Sequence, residues 1–172
     1  MSNVEKLLSV GDLRSAGSSE KVVNMVLSQP VLFVGVVDAI FSNNAATRMR
    51  ASDAVEKITR VHPELLKPYK KLFLNEIANI EQKEVRWHTA QILPRLKLTK
   101  REREKVYNLM LLYLDDKSSI VRTFSMQAIT DIALQDKTYI QKARKLINKL
   151  MKSGTPAMRS RGKKLLLLLD EH

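Results

Sequence analysis

Apolar residues recur along this chain three and four positions apart, and the pattern repeats about every 37 residues. Four segments align on an arginine: Arg48, Arg86, Arg122 and Arg159, spaced 38, 36 and 37 residues apart. Three positions after each arginine stands a small residue: Ala51, Thr89, Ser125, Gly162. Six and seven positions after it come Ala54-Val55, Ile92-Leu93, Ala128-Ile129 and Leu165-Leu166, and ten positions after it Ile58, Leu96, Ile132 and Leu169. Offsets 3, 6, 7 and 10 share one helix face, so each segment reads as an amphipathic helix. The small residue at offset 3 would let a neighbouring helix come close.

A second periodic stretch precedes each of these: 31–42, 64–80, 101–114 and 138–152. In the last, Tyr139, Ile140, Ala143, Leu146, Ile147, Leu150 and Met151 make an apolar face, with Lys142, Lys145, Lys149 and Lys152 opposite. Thr155-Pro156 supplies an N-cap followed by proline at the first helical position, and Ser118 can cap the helix of Arg122. Val61-His62-Pro63-Glu64 separates two helices, and Pro68 and Pro94 should bend the helices that hold them. A further helix is expected over 18–28. Residues 1–17 read as a loose N-terminal arm, in which Leu13-Arg14 resembles an incomplete fifth copy. No strand candidate survives.

Tandem helix pairs of this length, with Val-Arg near the start of the second helix, resemble HEAT (armadillo-like) repeats over roughly residues 18–170. Asp116, six residues before Arg122, matches that family's pairing of a turn Asp with the helix Arg. The equivalent positions elsewhere hold Ser42, Ile80 and Ser153, so a continuous Asp–Arg ladder is not expected. The resemblance implies an all-α, right-handed α-solenoid: an arm over 1–17, then a repeat domain over 18–172 with an extra helix and about four helix pairs. Such solenoids mostly bind other macromolecules.

Chemistry is sparse. With no cysteine in 172 residues, disulfides, thiolate metal sites and a cysteine nucleophile are excluded. The glycines are isolated, so no phosphate-binding loop is formed, and His62, His88 and His172 have no metal-ligand spacing. Asp115-Asp116 reads as a turn. No cofactor and no metal are expected. The start of the chain carries Glu5 and Lys6 without an apolar core, and 31–41 is short and interrupted by Asp38, so neither a signal peptide nor a membrane span is expected. A cytoplasmic location fits these features.

The inner face of the second helices should carry Met49, Asp53 and Lys57; Trp87, Gln91 and Arg95; Thr123, Gln127 and Asp131; and Ser160, Lys164 and Leu168. Trp87 is the single tryptophan. On this face Met49, Trp87, Gln91 and Arg95 are the expected contacts for a protein partner, and the leading reading is a non-enzymatic scaffold or adaptor. The HEAT-like bacterial alkylpurine DNA glycosylases also combine a Trp with an acid in a basic groove; here the position four residues after the Trp is Gln91.

Charge distribution adds a competing class. The chain carries 30 Lys+Arg against 18 Asp+Glu, a net charge of +12. Residues 1–94 hold 12 basic and 10 acidic side chains, whereas 95–164 hold 18 and 6. Such an end attracts phosphate backbones or acidic protein surfaces. Arg161, Lys163 and Lys164, with Arg95, are the expected polyanion contacts of a nucleic-acid-binding protein that grips the backbone without reading sequence. Leu167 and Leu168 point away from the repeat core of the last helix, which suggests a homo-oligomer or another contact there.

Overall fold

The computed structural model describes residues 3–10 and 18–171. Among these the protein is all-helical, with no strand. No described helix is long and apolar enough to cross a membrane. The chain divides into two compact units, residues 1–96 and 97–172.

The first unit contains α1 (Asn3–Ser9), α2 (Ser19–Ser28), α3 (Phe33–Asp38), α4 (Ala45–Val61), α5 (Lys70–Asn75) and α6 (Lys83–Ile92). Helix α4 is its centre and packs against α1, α2, α3 and α6. Its N-terminus is capped by Asn44, whose side-chain oxygen accepts from the backbone N–H groups of Ala46 and Thr47 at 2.8 and 3.1 Å.

The second unit contains α7 (Lys100–Tyr113), α8 (Ser119–Gln135), α9 (Ile140–Ser153) and α10 (Pro156–Asp170). Helix α8 packs on α7, α9 and α10, and α9 packs along α10. A reciprocal cap opens α7: Thr99 accepts from the Glu102 N–H, and Glu102 accepts from the Thr99 N–H. Thr155 caps α10 through the Met158 N–H, with Pro156 at the first helical position. Ser118 occupies the N-cap of α8 without a capping bond from its hydroxyl; the Asp116 carboxylate instead accepts from the Ser118 N–H at 2.8 Å.

The repeated offsets are buried as the pattern predicts. All four small residues are buried, as are Ala54, Val55, Ile58, Ile92, Leu93, Leu96, Ala128, Ile129, Ile132, Leu165 and Leu169. Leu166 alone is half-buried. Small size is a steric demand at one of these sites. A Cβ on Gly162 would lie 2.6 Å from both Cγ and Sδ of Met151 on α9, and 3.3 Å from Cε of Met126 on α8.

The preceding stretches depart from simple helices. Residues 30–41 form a 3-10 turn, the short α3 and a second 3-10 turn, and residues 63–79 run as 3-10 helix over Pro63–Tyr69, then α5, then another 3-10 turn. Pro30 and Pro63 open their 3-10 segments at the first helical position, where the missing N–H is not needed. Pro68 stands inside its segment, where it lacks the N–H that an α-helix would use and crowds the preceding turn. Pro94 likewise ends α6 in a 3-10 turn over Leu93–Arg95, and Leu96 is buried beyond the helix.

The N-terminal arm is also revised. Residues 3–9 form α1, with Val4 and Leu8 buried, because both fall on the face that meets α4. The guanidinium of Arg50, itself only 1% exposed, donates to the Leu8 carbonyl at 2.8 Å. The incomplete copy at Leu13-Arg14 lies outside the described residues.

The close approach at Gly162 gives a test. Gly162→Val should destabilise the second unit by about 1–3 kcal/mol through overpacking against Met151. A lowered urea midpoint is expected, whereas an unchanged midpoint would mean that α9 and α10 separate at little cost.

Candidate functional site

Helices α4 and α6 lie side by side and carry Met49, Trp87 and Gln91 of the expected partner-binding residues, while Arg95 stands in the 3-10 turn that follows α6. Met49, Trp87 and Gln91 are half-buried there. The Trp87 ring sits 5.5 Å from the His88 ring, centroid to centroid, at 59°. Gln91 folds back, its amide donating to the Trp87 carbonyl at 3.2 Å.

Arg95 is engaged inside the unit. Its guanidinium donates to the Glu56 carbonyl at 2.6 Å and the Thr59 hydroxyl at 3.0 Å, and forms an ion pair with the Glu56 carboxylate. The Glu56 side chain is only 3% exposed and also receives Arg60 at 2.5 Å. Burial alone would raise the Glu56 carboxyl, but hydrogen bonds and charge from Arg60 and Arg95 hold it below the ordinary value. Arg95 therefore ties the end of α6 to α4, and its charge is not offered outward as the sequence reading expects.

A second ionic cluster borders the same face. Asp53 accepts from the Ser19 hydroxyl at 2.5 Å and pairs with Lys57 at 2.9 Å, and Lys57 also pairs with Glu20. Burial would lower the Lys57 ammonium, but hydrogen bonds to Glu20 and Asp53 raise it above its usual value. Around Met49 and Trp87, the charges are thus matched.

His88 was not singled out by the sequence, although its position is informative. It stands two residues after Arg86, equivalent to Arg50, Phe124 and Arg161. Offset 2 lies about 40° from the buried offset 6 on a helix wheel. His88 is buried and its Nδ1 has no partner among the described residues. Burial pushes the imidazole down to about 4, against the opposing influence of Asp53 and Glu56.

In the second unit the expected polyanion residues divide. Arg161 donates to Gln127 on α8 at 2.9 Å and lies 5.7 Å over the Phe124 ring, so it is held against its own unit. Lys163 and Lys164 are exposed. So are Leu167 and Leu168, at 64% and 39%.

Two of the repeat arginines hold the main chain. Arg48 donates to the carbonyls of Ser42 and Asn43 at 2.8 and 3.2 Å and to the Gln82 side chain at 2.7 Å. Arg159 donates to the Gly154 carbonyl at 2.5 Å. Each of the two thereby secures the turn in front of its own helix. No group of three or more His, Cys, Asp or Glu able to hold a metal occurs among the described residues.

No family model matches the chain. No curated protein matches it either. Among solved structures it is similar to the crystal structure of an engineered protein, a Northeast Structural Genomics Consortium target, with a TM-score of 0.62 and 14% identity over 98% of this chain and 78% of that one. At that identity the likeness concerns the fold.

Two outcomes follow from the buried groups. In the unfolded chain His88 titrates near its ordinary value of 6.5, and in the folded chain near 4. Between these the unfolded state binds more protons, so stability falls as pH drops from about 6.5 toward 4, by up to about 3 kcal/mol. Urea midpoints across that window should show the loss, and His88→Phe should flatten it. Arg95→Leu should destabilise the first unit by roughly 2–4 kcal/mol, since it strips one of the buried Glu56 carboxylate's cations. Chemical denaturation at pH 7 measures this.

Proposed function

We propose that this protein is a non-enzymatic, HEAT-like helical-repeat scaffold, a right-handed solenoid that binds a protein partner through the face formed by α4 and α6. Support for the architecture comes from the burial of equivalent offsets in four copies and from the packing of successive second helices within each unit, α4 on α6 and α8 on α10. The observation that carries the binding reading is the composition of that face. Trp87, Met49 and Gln91 form an aromatic-centred, uncharged strip. The charges beside it are matched internally, Arg95 with Glu56 and Lys57 with Asp53. Cores of protein interfaces have this character: aromatic and Met side chains enriched, unpaired charge depleted.

The same geometry supports the non-enzymatic half of the reading. The acid nearest in register to Trp87 is Asp53, which is bound by the Ser19 hydroxyl and the Lys57 ammonium. The residue four after Trp87 is Gln91, folded onto its own helix. The Asp53 carboxylate is thus taken up by its neighbours and Gln91 carries no carboxylate, so neither matches the acid that a glycosylase-like reading places beside the Trp.

Affinity capture from nuclease-treated lysate of the source cells tests the proposal. The wild-type protein should retain a stoichiometric protein partner. Trp87→Ala with Met49→Ser should lose it, with a hot-spot penalty of about 2 kcal/mol or more in measured affinity. Retention by the double variant at wild-type strength would move the partner elsewhere on the molecule.

A further inference from the structure

Helix α9 presents a second surface, independent of the protein-binding face. Lys142, Lys145, Lys149 and Lys152 recur at intervals of three, four and three residues, and all four are exposed. That spacing places them along one side of the helix over about 15 Å. No acidic residue lies in α9, and among the described residues none of the four makes an ion pair. Lys142 lies 5.9 Å over the Tyr139 ring, a contact that leaves its charge in place. The nearby arginines differ: Arg144 pairs with Asp170, and Arg161 is bound to Gln127. The lysines thus form an uncompensated line of charge on a helix whose other face is fixed by buried Ile140, Ala143 and Ile147.

The geometry points to a nucleic-acid duplex as the occupant of this line, gripped by its phosphate backbone, with Lys142, Lys145, Lys149 and Lys152 as the contacts. A regularly spaced row of point charges complements a regularly spaced polyanion. The exposed polar side chains interspersed with them include Gln141 and Asn148, and the Asn148 amide donates to the Arg144 carbonyl of its own helix. Tyr139, at the head of the row, is half-buried and packed on Tyr107 at 4.7 Å and beneath Lys142, so it does not project as the apolar anchor that an acidic protein partner would need at its interface core. Insertion into an anionic membrane would need an apolar face, and that of α9 is already buried in its own unit; adsorption to a membrane by charge alone is distinguished by the vesicle arm of the test below. With the Tyr139 ring taken up by Tyr107 and Lys142, and no base-reading element among the described residues of the row, the contact discriminates little between sequences.

Fluorescence anisotropy with a labelled 20-base-pair duplex, titrated from low to physiological salt, tests the assignment on the full chain. Binding should weaken linearly in log salt. Changing the four lysines to Gln should weaken it at least tenfold and reduce the slope by about 3–4, at about 0.9 for each phosphate no longer neutralised. A second variant with the same change in charge, Lys21, Lys67, Lys71 and Lys83 to Gln, should bind nearly as the wild type does. Circular dichroism on both variants verifies that helix content is kept; if the α9 variant unfolds, reversal of Lys145 and Lys149 alone to Glu replaces it. Absence of duplex binding at low salt, or equal weakening by both lysine sets, overturns the proposal. So does preferential binding, at matched salt, to poly-Glu or to phosphatidylserine vesicles in place of the duplex.

Discussion

The close approach of neighbouring helices sets what else this chain can do. At offset 3 of each second helix the side chain is small and buried, and at Gly162 there is not room for a Cβ. Once those contacts are made, offsets 6, 7 and 10 are carried into the core together. The opposite side of the same helices then faces outward in a fixed register. Met49 and Trp87 occupy the same offset on packed neighbours for that reason, and the four α9 lysines point outward because Ile140, Ala143 and Ile147 point in.

Polar groups near the packed faces are handled by pairing, and this divides the charged residues into two populations. Glu56, Arg60 and Arg95 form one network, and Glu20, Asp53 and Lys57 another, both bridging elements within the first unit. Arg103 with Asp136 and Arg144 with Asp170 serve the second. Charge that is matched in this way gives cohesion and little outward field. The field of the protein comes from residues with no such assignment, and it is concentrated on α9 and on Lys163 and Lys164 of α10.

The second helices are legible in the sequence because their register rests on volume and hydrophobicity, which recur at every copy. The stretches before them are less so. Residues 63–79 carry helical periodicity, yet Pro68 lies inside the segment and favours 3-10 geometry that periodicity does not distinguish from an α-helix. Helix α1 has only seven residues, too few for a period to stand out, and its order comes from tertiary contact with α4. Helical periodicity puts Met49, Trp87, Gln91 and Arg95 on one row, but the fate of Arg95 depends on a buried Glu56 thirty-nine residues away. His88 is silent in the sequence because a single histidine has no pattern; only its equivalence to Arg50 marks the position as interior.

The attachment of Arg48 and Arg159 to backbone carbonyls has an evolutionary consequence. A turn held through a carboxylate requires an acid at one position, and it loosens when that acid is protonated or replaced. Here Ser42, Asn43 and Gly154 lend main-chain oxygen, which every amino acid carries. At Ser42 and Asn43 the side chain is therefore released from this duty and can drift, while the arginine stays under constraint. Gly154 keeps a separate restriction, since a Cβ there would press 2.6 Å from the Leu150 carbonyl. A lineage built on such links can erase the outward signature of its turns while the helices they join remain in place.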